Sequence, residues 1–120
     1  MLHLQRLRQY SAPLPLAAVL ACLLPTHPYA QTSMDAQTLF EICVTPEADW
    51  IAFCAGFIQA ANDQAAHSGL SCAPTGTTRA DLIDTFVGFA GEAFTSDPDL
   101  GAATGLSVAI TSVADAYPCN

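Results

Sequence analysis

ADWIAFCAGFIQAANDQAAH, residues 48–67, decides the fold class of this chain. Trp50, Phe53, Phe57, Ala61 and Ala65 recur in it at steps of three and four. Such residues share one side of an α-helix, whereas a half-buried strand alternates at every second position. Cys54 and Ile58 flank the stripe. Its aromatic part, Trp50, Phe53 and Phe57, reads as core and not as the wall of a cofactor site. Ser68-Gly69 ends the segment, with Gly69 suited to the left-handed residue that commonly closes a helix.

The helical spacing continues on both sides. Upstream, a shorter helix is expected from about Ser33 to Ile42, with Leu39 and Phe40 inward and Thr45-Pro46 as its stop. Downstream, Cys72-Ala73-Pro74-Thr75-Gly76 is a loop and Thr78 opens a third helix. Thr78 and Asp81 have the spacing of a capping box, with Asp for the usual Glu. Leu82, Phe86, Phe89 and Ala93 form one stripe there, and Ile83, Val87, Ala90 and Phe94 widen it. Asp97-Pro98 reads as the N-cap and first residue of a fourth helix. Its core face is Leu100, Ala103, Leu106, Ile110, Val113 and Tyr117, and Pro118 ends it. Short connections make consecutive helices antiparallel neighbours. The expectation is an all-α, compact four-helix domain.

The chain has 120 residues, with 3 Lys plus Arg against 11 Asp plus Glu and a formal net charge of −8. That balance argues against a nucleic-acid partner, because nothing here could neutralise phosphates. Residues 1–30 have the layout of a secretory signal peptide: Arg6 and Arg8, then an apolar run from Leu14 to Leu24, then Pro25–Ala30. The run is short for a membrane span, and Pro13, Pro15 and Pro25 punctuate it. Val19-Leu20-Ala21-Cys22 is a rough lipobox, but Leu20 fits it poorly, so simple secretion is preferred over a lipid anchor on Cys22. Residues 31–120 then form one domain in which Arg79 is the sole strong base against all eleven acids, a formal charge of −10.

A domain of that size buries only about 60–65% of its unfolded surface and is marginal unaided. Cys43, Cys54, Cys72 and Cys119 remain after residue 30, and an even number in a secreted chain reads as two disulfides. Helix geometry selects among the three pairings. Cys54 and Cys72 lie toward opposite ends of one helix, roughly 27 Å apart at 1.5 Å per residue, far beyond the ~7 Å between Cα atoms that a disulfide spans. Cys43–Cys72 would also join opposite ends of that helix. Cys43 and Cys54 flank one short turn. In an up-down bundle the second and fourth helices run parallel, and Cys72 and Cys119 sit just past both of their C-terminal ends. Cys43–Cys54 with Cys72–Cys119 is the expected set.

Chemistry is sparse. No Cys-x-x-Cys supports a zinc site. A cysteine nucleophile would need a free thiol beside a histidine, and His67, the one histidine after residue 30, sits at a helix end facing carbonyls. There is no Gly-x-Ser-x-Gly, no His-Glu-x-x-His, and no glycine cluster for phosphate. Glu47 with Asp49, and Asp81 with Asp84, are neighbouring acids at helix starts, where the dipole favours them. No catalytic residue, metal or cofactor is assigned.

Phe53-Cys54-Ala55-Gly56-Phe57-Ile58, then Asp63, Cys72-Ala73-Pro74, Thr78 opening a helix, and Tyr117-Pro118-Cys119 stand in a specific order. Together they resemble the Rap/Tai family of type VI secretion immunity proteins over nearly all of residues 40–119. That family shows a Phe-Cys-x-Gly-Tyr helix, a Cys-x-Pro loop and an aromatic-Pro-Cys terminus. Phe57 replaces the tyrosine, and Ala60 stands where a second glycine is common. The resemblance implies a small periplasmic all-α protein, often a homodimer, that blocks the active-site cleft of a cell-wall amidase effector. It also implies that the cysteines, Gly56 and Pro74 build the fold.

A field of one sign speeds encounter with a cationic partner. The expected partner is therefore a basic peptidoglycan hydrolase, and Asp81 and Asp84, beside the Cys72–Gly76 loop, are the candidate contacts. Gly101, Ala102, Ala103, Gly105 and Ala109 exceed what one neighbouring helix needs, which suggests a homodimer. A periplasmic adaptor and an acid-stress chaperone are the alternatives. The chaperone fits less well: in strong acid the domain would keep only Arg79, His67 and its amino terminus as charges.

Overall fold

Helix starts are fixed by side-chain acceptors that satisfy the first backbone amides. The computed structural model describes residues 33–120. The signal-peptide and Cys22 readings lie outside the described residues. Helix α1, Ala36–Val44, follows Asp35, whose carboxylate accepts the Thr38 amide at 2.7 Å. That cap puts the start three residues beyond Ser33. Helix α2 spans Ala48–His67. Gly69 closes it at φ +71°, a conformation that favours glycine, and the Leu70 amide donates back to the Ala65 carbonyl at 2.8 Å. Helix α3, Arg79–Ser96, opens with the expected capping box: the Asp81 amide donates to Thr78 Oγ1 at 3.1 Å, and the Thr78 amide donates to Asp81 Oδ2 at 2.8 Å.

The fourth helix departs from expectation. Asp97-Pro98 starts only a short 3-10 helix, Pro98–Ala102. Helix α4 begins later, as Gly105–Ala116, with Thr104 as its N-cap. Between them the backbone extends and pairs with the chain before α1. The Ala36 amide donates to the Ala103 carbonyl at 2.8 Å, and the Gly105 amide to the Met34 carbonyl at 2.8 Å. Two glycines weaken helix continuation here, and Gly105 lets the strands of chain meet. A Cβ built on Gly105 would lie 3.1 Å from a Leu39 methyl and 3.2 Å from the Met34 carbonyl oxygen. Long-range pairing therefore prevails over local periodicity. Leu106 is consequently exposed rather than core, and Leu100, Ala103 and Ile110 are only partly buried.

Each of the four helices packs against the other three. The core is Ala36, Leu39, Cys43, Cys54, Ile58, Ala61, Ala65, Leu82, Phe86, Ala90, Val108, Ala109 and Val113. Phe40 and Phe94 meet edge to face beside it, 5.7 Å apart. The buried hydroxyls are satisfied: Ser71 donates to Asn62 at 2.9 Å and Ser112 to the Ala109 carbonyl at 2.7 Å. Both expected disulfides are present. Cys43–Cys54 joins α1 to α2 with Cα atoms 5.2 Å apart, and Cys72–Cys119 joins the chain beyond α2 to that beyond α4 with Cα atoms 5.0 Å apart. The Cys72 amide also donates to the Tyr117 carbonyl at 2.7 Å, so these two ends are held by backbone as well as by sulfur.

The face that α2 turns inward corrects the sequence reading. Cys54, Ile58, Ala61 and Ala65 are fully buried, whereas Trp50 is 42% and Phe53 41% exposed and Phe57 is half-buried. The disulfide fixes this phase. Cys54 must reach Cys43 on α1, and the residues four, seven and eleven positions on follow it inward. The aromatic stripe lies about one residue step round the helix and stays at the surface.

Candidate functional site

The exposed aromatics make a continuous surface along α2. The Trp50 and Phe53 ring centroids are 6.4 Å apart and edge to face, and those of Phe53 and Phe57 are 6.1 Å apart. Beyond Phe57 the surface dips into a hollow of about 250 Å³ lined by Ser33, Met34, Phe57, Ala60, Thr104 and Leu106. The shift of α4's start builds this hollow, because it places Thr104 and Leu106 beside α2. Leu106 is 46% exposed at its edge. Singly exposed apolar residues are ordinary, but a contiguous run beside a hollow marks an interaction surface.

Asp81 and Asp84 lie on the first turns of α3, both exposed. They differ in what they do. Hydrogen bonds from the Thr78 amide, and then from its hydroxyl, hold the Asp81 carboxyl below the usual carboxylate range. Asp81 is thus a capping residue first. Asp84, one turn on, is outside the box and faces solvent. Sequence reasoning did not single out Glu92 and Asp115. They line a second hollow of about 290 Å³ between α3 and α4, with Phe89, Ala93 and Ser96. Only the packing of those two helices brings them together.

The four cysteines are cross-linked, and among the described residues no group of His, Cys, Asp and Glu could hold a metal ion. No helix among the described residues is long and apolar enough to cross a membrane. The family model of the Rap1a immunity proteins matches residues 35–119. The chain belongs to the Rap1a immunity protein family. No curated protein and no solved structure gave a significant match.

Two expectations carried by the family resemblance and by composition are modified by the Rap1a fold seen here. Gly56 does not build this domain: a Cβ placed on it meets nothing within 4 Å. Of the small residues read as a homodimer face, three are used within the protomer, whereas Ala102 is exposed and Ala103 partly buried. Gly101, Gly105 and Ala109 are buried, Gly101 against Gln37 and Gly105 against Leu39 and the chain at Met34.

Proposed function

We propose that this Rap1a-family protein is a periplasmic immunity protein of a type VI secretion system that binds a cell-wall amidase effector and blocks its cleft. The observation that carries the proposal is the family match across residues 35–119. Two disulfides fit the oxidising compartment in which such an effector acts. The protein works by binding and not by catalysis. Its acidity selects a cationic partner surface, because eleven acids face Arg79 alone after residue 30. Asp84, free of the capping box that engages Asp81, is the acid near the Cys72–Gly76 loop best placed to steer that partner.

The test is binding and inhibition assayed against an amidase-like effector, sought first in the genes neighbouring this one, with cell survival on co-expression as a second readout. Nanomolar binding with loss of amidase activity is expected. Asp84→Lys should slow association and flatten its salt dependence, while Tm stays nearly unchanged. Failure of the amidase to bind the wild-type protein would overturn the immunity reading and favour a periplasmic adaptor.

A further inference from the structure

We infer that the outer face of α2, with the hollow it forms beside Leu106, is a docking groove for a partner-protein segment that carries an apolar ridge flanked by Lys or Arg. Asp49, Phe53, Gly56, Ala60 and Asp63 follow one another at steps of four, three, four and three, and all five are exposed. They form one seam along the helix, as the residues of a helix-pairing surface do. Trp50 and Phe57 border the seam on the side nearest the core. The hollow at Phe57, Ala60 and Leu106 gives a partner's apolar side chain a place to enter.

Gly56 points the same way. A glycine in the middle of a twenty-residue helix lowers its stability relative to alanine. Within this domain nothing needs the missing side chain, since the space above Gly56 is open. Between the exposed Phe53 and the half-buried Phe57, its use is to let another backbone approach the helix closely.

Charge selects the occupant. Asp49 and Asp63 stand at the two ends of the apolar seam, and Glu47 precedes it. A second copy of this chain would set these acids against its own acids, with Arg79 as the only Lys or Arg that residues 33–120 could offer. A segment with cations on both flanks pairs with both ends at once. The groove is argued from this surface alone. That the segment belongs to the effector rests on the immunity reading above.

Trp50 is the only tryptophan of the chain, so its emission reports occupancy of the groove. Two probes are titrated into the secreted, oxidised protein. One is a short amphipathic helical peptide with a leucine ridge flanked by lysines, with an equally charged control in which serine replaces leucine. The other is the amidase-like effector of the preceding test, inactivated. A blue shift with the leucine peptide and with the amidase is expected, and none with the serine control. Phe53→Ser should weaken both by roughly ten- to a hundredfold, the loss expected for one buried phenylalanine. Gly56→Ala should raise Tm by about 5 °C through helix propensity and still weaken binding, which a purely structural role would not produce. If neither probe moves Trp50, the groove is overturned; if the amidase nevertheless binds, the immunity reading survives without it. If the peptide shifts Trp50 while the amidase does not bind, the groove stands and the immunity reading fails. A dimer seen by light scattering and split by Phe53→Ser would make the occupant a second copy and overturn the choice of a basic segment.

Discussion

Replacing Cys72 and Cys119 together by alanine opens a cross-link whose ends are 47 residues apart in sequence. In the chain-entropy account, a closed loop of that length costs the unfolded chain freedom equivalent to about 4 kcal/mol at 25 °C. The folded side loses little, because Cys72 is exposed and Cys119 only partly buried. A domain of this size has a total stability of roughly 4–13 kcal/mol, so the loss is a third of it or more. At 4–8 °C per kcal/mol, Tm should fall by roughly 16–32 °C. The assay is thermal and urea unfolding followed by circular dichroism, with wild type and double variant in the same buffer. The urea m-value should rise in the variant, since its unfolded chain exposes more surface once the loop is open. A loss below about 1 kcal/mol with an unchanged m-value would refute the reasoning. It would mean that the bond from the Cys72 amide to the Tyr117 carbonyl and the helix packing suffice without sulfur.

The two phenylalanines of opposite burial give a direct check on the phase of α2. Phe86→Ala, fully buried, should cost about 3–5 kcal/mol in urea unfolding, whereas Phe53→Ala should cost well under half of that; equal losses would return Phe53 to the core. Gly105→Ala forces a Cβ to within 3.1 Å of Leu39 and 3.2 Å of the Met34 carbonyl oxygen, and a destabilisation of about 1–3 kcal/mol is expected by the same measurement. The carboxyl of Asp35 is held below the usual range by hydrogen bonds from the Thr38 amide and then its hydroxyl, and that of Asp81 likewise by Thr78. A folded-state pKa lowered in this way stabilises the fold above the unfolded value of about 3.9, and the contribution fades as pH falls through the folded value. The double variant Asp35→Asn, Asp81→Asn should therefore melt below wild type at neutral pH, and the gap should close in acid; a gap that stays constant across that range would show that the two caps are not coupled to these carboxyl groups.

The candidate surface was present in the sequence but on the wrong side of the helix. Trp50, Phe53 and Phe57 are apolar at helical spacing, and spacing alone cannot distinguish a stripe that faces the core from one that lies one residue step away. The deciding signal is covalent, and the expected Cys43–Cys54 pair already carried it. Cys54 has to meet Cys43, and that requirement rotates Cys54, Ile58, Ala61 and Ala65 inward. The acids at α3 were legible in part. The Thr78–Asp81 spacing identified a cap, and it is the capping box that separates Asp81 from Asp84.

What the sequence determined by itself is whatever depends on neighbours within a few residues or on topology counted in helix lengths. Period 3.6 gave four helical segments, the turn residues gave their breaks, Thr78 with Asp81 gave a start, and the length of α2 left one feasible disulfide set. What only the tertiary structure decided is where distant backbone competes with local preference. Asp97-Pro98 is a sound helix start, and a 3-10 turn does form there. Hydrogen bonds from Ala36 to Ala103 and from Gly105 to Met34 then draw the chain into an extended link. No window of local sequence contains both partners of those bonds. The link delays α4 to Gly105, sets Leu106 at the surface opposite Phe57, and so creates the hollow beside α2.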